Sequence, residues 1–203
     1  YKRQHYNFAN SLRDIGRLDE AIESYHKAYT IRPDFPEAVY NAGYVQLVLG
    51  DLDAAIDRFK KAIKINPEFS EAFNNLGNIY RERKQLIEAE QSFIKAIQIN
   101  PDYAEAHNNL GGLLQDMVRL EEAIASFREA IALRQDYAEA HKNLGYAFQS
   151  LYRCAEAEAS YKRAIALRPA YAAAHFNLGD TLRELGRLRA AESSFRQTIG
   201  LEP

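Results

Sequence analysis

The sequence predicts an all-α fold built as a solenoid of antiparallel helix pairs, and three observations predict it. Pro33 and Pro67 are 34 residues apart, Pro101, Pro169 and Pro203 keep the same step, and Gln135 stands at the missing place. In the frame that makes this proline position 32, the repeats run 2–35, 36–69, 70–103, 104–137, 138–171 and 172–203, the last cut short, as a single array. Small and aromatic residues keep fixed places in that frame. Apolar residues recur at helical spacing twice in every repeat.

The first helix of each repeat carries its apolar residues at positions 4, 7, 8 and 11. Position 8 is Ala9, then Gly43, Gly77, Gly111, Gly145 and Gly179. An acid in the first turn (Glu37, Glu71, Glu105, Glu139) complements the helix dipole. A break follows, with Gly16, Gly50 and Gly186 suited to a helix C-terminus in three repeats. The second helix has Ala at position 20 without exception, from Ala21 to Ala191, and an aromatic ring at position 24 (Tyr25, Phe59, Phe93, Phe127, Tyr161, Phe195). The proline at position 32 stops it, and Asp34, Asp102 and Asp136 are placed to accept hydrogen bonds from the next helix.

This pattern resembles the tetratricopeptide repeat over the whole chain, with six copies in phase. The resemblance implies a right-handed superhelical solenoid, with partners bound along a concave face. Departures are local: His or another residue at position 4 in place of Trp, Gln46 at position 11, and Gln135 for one proline.

Asparagine occupies position 6 in every repeat: Asn7, Asn41, Asn75, Asn109, Asn143 and Asn177. At about 100° per residue, this position lies about 150° from the centre of the apolar stripe, on the face turned away from the helix-pair core. Neighbours on that face drift, as position 9 shows with Tyr44, Asn78 and Tyr146, whereas the asparagine does not. An amide row can pair with the backbone of an extended peptide. The competing reading is that each Asn bonds the neighbouring repeat. Arg81 at position 12 and Asp116 at position 13 complete the expected peptide-binding set.

The net charge of −2 lacks the positive field needed for nucleic-acid binding, and no apolar run is long enough for a membrane. A single cysteine, Cys154, excludes an internal disulfide and fits a cytoplasmic setting. His5, His107, His141 and His175 share position 4, but helices pack about 8–10 Å apart while zinc ligands lie about 2 Å from their metal, so no metal site is expected. No phosphate loop, nucleophile elbow or metalloprotease helix is present, so neither catalysis nor a cofactor is expected of these residues.

The expected function is a non-catalytic scaffold that holds a protein segment or extended peptide. The Asn row is also similar to the repeat region of O-GlcNAc transferases, which implies an alternative: the substrate-recognition arm of such an enzyme, without its catalytic domain. A chaperone-tail clamp is disfavoured because Glu71 stands where its cation belongs. Ile199 and Leu201 are expected on an uncovered last helix, so the natural chain is expected to continue past both termini, and end-to-end self-association is a further expectation.

Overall fold

The computed structural model describes residues 2–201, and among them it holds twelve helices and no strand. They are α1 (Lys2–Asp14), α2 (Leu18–Ile31), α3 (Pro36–Val48), α4 (Leu52–Ile65), α5 (Ser70–Glu82), α6 (Leu86–Ile99), α7 (Ala104–Asp116), α8 (Leu120–Leu133), α9 (Ala138–Ser150), α10 (Cys154–Leu167), α11 (Ala172–Glu184) and α12 (Leu188–Leu201). Odd-numbered helices begin where the repeats begin. The chain divides into two compact units, residues 1–101 and 102–203. Each contains three consecutive helix pairs, and each pair is antiparallel because a short turn joins its members.

Within a pair, the glycine at position 8 meets the aromatic ring at position 24. A methyl group on Gly145 would lie 2.7 Å from Cε1 of Tyr161, and one on Gly111 would lie 2.6 Å from Cε1 of Phe127. These rings are fully buried, as are the alanines at position 20 from Ala21 to Ala157. Small residue and ring therefore interlock at backbone-to-ring contact, which fixes the approach of the two helices. In the second unit this packing is continuous from Leu114 through Phe127, Leu144 and Tyr161 to Leu182. In the first, separate clusters form around Tyr25, Tyr29 and Phe59.

The turn inside each pair is the same in all six repeats. Position 15 takes a left-handed backbone, at Gly16, Gly50 and Gly186 but also at Lys84, Val118 and Tyr152 with φ of 61°, 60° and 58°. Each turn closes with two backbone bonds, such as Val118 N–H to Gln115 O at 2.9 Å and Arg119 N–H to Leu114 O at 2.8 Å. That pairing is the Schellman helix ending. It satisfies carbonyls that the helix leaves without a partner, and it forms whether or not glycine is available.

The second helices end two residues before position 32, and α8 ends at Leu133 although Gln135 replaces the proline there. The helix starts differ from expectation. The cap residues of α3, α5, α7, α9 and α11 are the aromatics Phe35, Phe69, Tyr103, Tyr137 and Tyr171, and none makes a side-chain cap bond. Main-chain carbonyls of Asp102 and Asp136 accept from Ala104 and Ala138 N–H, both at 3.0 Å, while the Asp34 carboxylate pairs with Arg32 at 2.6 Å. An aromatic at position 34 is selected for packing: the ring centroids of Tyr6 and Phe35 are 5.0 Å apart, and those of Tyr40 and Phe69 are 4.7 Å apart.

Candidate functional site

In the second unit α9 touches both α7 and α11, so the first helices lie side by side and offer a shared face. The predicted row sits on the first helices. Asn41, Asn75, Asn109, Asn143 and Asn177 are half-buried, and Asn7 is exposed.

The hydrogen bonds of this row run between repeats. Asn41 Nδ2 donates to the Tyr6 hydroxyl at 2.8 Å, Asn75 Nδ2 to the Tyr40 hydroxyl at 2.9 Å, and Asn143 Nδ2 to Asn108 Oδ1 at 3.0 Å. Each bond joins position 6 to position 5 of the repeat before it. Lys142 occupies position 5 in the fifth repeat and has no acceptor to offer Asn177, while the Tyr161 hydroxyl there donates to Gln149 Oε1 at 3.0 Å. Asn7 belongs to the first repeat, so no described repeat precedes it. Burial pushes the Tyr40 hydroxyl up to about 12, against the opposing effect of the Asn75 bond.

This geometry gives the asparagine a structural task that a helical wheel drawn for one pair does not reveal. Position 5 drifts, yet at Tyr6, Tyr40 and Asn108 it remains an acceptor, and in the first two repeats it packs against the position 34 ring of its own repeat. The interlocking continues at position 12. Gln149 Nε2 donates to Glu184 Oε1 at 3.2 Å while its Oε1 accepts from the Tyr161 hydroxyl at 3.0 Å. At Asn41, Asn75 and Asn143 the inter-repeat bond uses one N–H of the amide, whose chemistry includes a second N–H and an oxygen.

The remaining predicted residues fall on the same helices. Tyr44 and Tyr146 are 42% and 53% exposed, so both position 9 rings face solvent. Asn78 and Arg81 are half-buried, and Asp116 is exposed. Arg13, Tyr40, Asn41 and Tyr44 line a cavity of about 470 Å³. Arg13 is held there by Asp14 at 2.9 Å, a partly exposed pair that solvent weakens. The sequence pattern alone leaves Arg13 outside the peptide-binding set, although it shares position 12 with Arg81.

Two of the position 4 histidines, His141 and His175, turn to the backbone. His141 Nε2 lies 3.3 Å from Gln135 O, and His175 Nε2 lies 2.9 Å from Pro169 O, so each imidazole donates to the segment that closes the previous repeat. Burial lowers the His141 pKa, against the carbonyl bond. Among the described residues no three His, Cys, Asp or Glu side chains converge on a common point. Cys154 is half-buried, with its thiol 3.4 Å from Glu184 Oε2, and burial beside that carboxylate raises its pKa.

Comparisons with known proteins agree with this architecture. A TPR repeat family model matches residues 9–50, 47–80, 77–118, 119–151 and 153–186, and a tetratricopeptide repeat model matches 172–203. Among solved structures, MamA is 28% identical over 79% of this chain and 94% of its own, with a TM-score of 0.72. A thermophilic TPR protein of Thermus thermophilus is 26% identical over 90% of this chain and all of its own (100%), with a TM-score of 0.69. PilF of Pseudomonas aeruginosa matches 100% of this chain and 92% of its own with a TM-score of 0.88, and at 18% identity it speaks for the fold alone. No curated protein sequence matches significantly.

Proposed function

The chain belongs to the tetratricopeptide-repeat family, and from that premise we propose that it is a scaffold that holds an extended peptide against the exposed face of its first helices. The observation that carries this reading is the cavity of about 470 Å³ in which Tyr44 presents its ring beside the Asn41 amide and the Arg13 guanidinium. A rigid ring offers contact area at small entropic cost, an amide reads backbone polarity, and a guanidinium held only by a weak surface pair is available to a ligand carboxylate. Tyr146 repeats the exposed ring in the second unit, one helical turn from Asn143.

The row of asparagines then has two tasks, joining repeats through one N–H and pairing with the peptide through the rest of the amide. The same face would serve equally as the acceptor-reading arm of an O-GlcNAc-transferase-like enzyme. That reading requires a catalytic domain elsewhere in the parent protein, and an assay of the full-length protein for sugar transfer separates it from a free-standing scaffold.

A peptide-array screen tests the proposal, with wild type compared against Tyr44→Ala, Tyr146→Ala and the combined Asn75, Asn109, Asn143 and Asn177→Ala variant. The tyrosine variants remove exposed rings, so they should fold normally and lose about 1–2 kcal/mol of affinity each. The combined variant should lose more. If all three capture the same peptides as wild type with the same strength, the first-helix face is not the binding surface.

A further inference from the structure

Repeat 2 departs from the chain's own pattern at several positions that meet in space. Position 11 is apolar or aromatic in the other five repeats and is Gln46 here. Position 23 is serine in the other five repeats and is Arg58 here. Position 19 is glutamate in four repeats and is Ala54 here. Position 28 is isoleucine in every repeat but the first, where it is Tyr29, and α2, which carries Tyr29, packs on α3.

Gln46, Ala54, Asp57, Arg58 and Lys61 line one cavity of about 260 Å³. Among the described residues, Gln46 Oε1 is the sole buried side-chain N or O atom without a hydrogen-bond partner. Native proteins rarely leave such an acceptor unmatched, because burial removes the water that would have satisfied it. Two cations are held beside it. Arg58 Nη1 donates to the Tyr29 hydroxyl with its guanidinium carbon 5.3 Å from the ring centroid, and Lys61 Nζ lies 4.4 Å from the same centroid. Ala54 contributes room, and its replacement of the usual glutamate takes away a carboxylate that would have neutralised those cations.

We infer that this cavity is a second binding site, for an acidic side chain of a partner peptide: the carboxylate meets Arg58 and Lys61, and the main-chain N–H of the same residue donates to Gln46 Oε1. Gln46 follows Asn41 by five residues, a rotation of about 140° around α3, so the site faces away from the Asn41 and Tyr44 surface and stands independently of it. The chemistry selects the ligand. The orphan oxygen requires a donor, which a fully ionised phosphate lacks, and Asp57 on the rim opposes a doubly charged group. The volume suits one side chain.

The test is a titration of the ¹⁵N-labelled protein followed by NMR. The probes are N-acetyl-Gly-Glu-Gly-amide, its Gln counterpart and inorganic phosphate. The glutamate peptide should give saturable shifts in the Gln46 side-chain NH₂ and the Ala54 backbone amide, with at least about tenfold tighter binding than the Gln peptide, since hydrogen bonds to charged groups exceed neutral ones by that order. Arg58→Ser should lose this response. So should Gln46→Leu, read at the Ala54 amide; this change restores an apolar residue as in the other repeats and should fold at least as stably as wild type. Equal binding of the two peptides, displacement of the glutamate peptide by phosphate, or undiminished response in Gln46→Leu would each overturn the inference. A crystal structure of the glutamate-peptide complex in which only water reaches Gln46 Oε1 would overturn it as well.

Discussion

Replacing Val118 with glycine should stabilise the protein, although it deletes a hydrophobic side chain. Val118 holds φ at 60° and is 77% exposed, so its side chain contributes little burial where it stands. A left-handed backbone costs an ordinary residue about 1–2 kcal/mol relative to the right-handed form, and a β-branched one is the least suited to it. Glycine removes that strain but adds about 0.4–1 kcal/mol of unfolded-state entropy that folding must overcome. The difference is a gain of about 0.5–1 kcal/mol. At about 2–4 °C per kcal/mol for a chain of this size, melting should rise by roughly 1–4 °C. The reverse change carries the same two effects with the sign turned: a Cβ on Gly50, at φ +81°, meets no atom within 4 Å, so Gly50→Val should lose about 0.5–1 kcal/mol through conformation alone. Urea unfolding with m-values is the appropriate assay, because repeat arrays need not unfold as one unit. A lower midpoint for Val118→Gly, or an unchanged one for Gly50→Val, would refute the strain argument.

Gly145→Ala places a methyl 2.7 Å from a fully buried Tyr161 ring, and the overpacking should outweigh the helix propensity of alanine for a net loss of about 1–2 kcal/mol, read from chemical denaturation. A double-mutant cycle on Asn143→Ala and Asn108→Ala should give a coupling of about 0.5–1.5 kcal/mol, and additivity would show that the 3.0 Å bond does not join the repeats. His141 has a lowered pKa in the folded state, so below about 6.5 the unfolded chain takes up the proton first. Stability should therefore fall as pH drops from about 6.5 toward the folded value, and His141→Leu should show a shallower fall in that window when melting is followed against pH.

The repeat frame was legible because its determinants are local or lie within one helix pair. The apolar stripes, the glycine against the ring and the invariant alanine are all spaced along the sequence as they are in space. The turn was only half legible. Gly16, Gly50 and Gly186 announced a left-handed residue, but Lys84, Val118 and Tyr152 adopt the same backbone, imposed by the two helices that the turn must join. The helix starts were partly legible. An acid after proline is a general sign of a helix start, and the Asp102 and Asp136 carbonyls do accept from the next helix, but the cap position itself holds an aromatic at position 34, engaged with a position 5 ring in the first two repeats.

The asparagine row shows where reading one period at a time reaches its end. Drift at position 5 suggested that its neighbour persisted for a ligand, but drift is informative only when the property a partner needs also drifts. Tyr6, Tyr40 and Asn108 differ in size and shape while keeping an oxygen that accepts from the following repeat. Lys142 breaks that property, and Asn177 is retained after it. At Asn41, Asn75 and Asn143 the amide is thus explained by the demand for a donor at the repeat boundary. At those three places its persistence is therefore no evidence for a peptide. The case for one rests on residues that the stacking of repeats does not require: the exposed rings of Tyr44 and Tyr146, and the unmatched oxygen of Gln46 on the far side of α3.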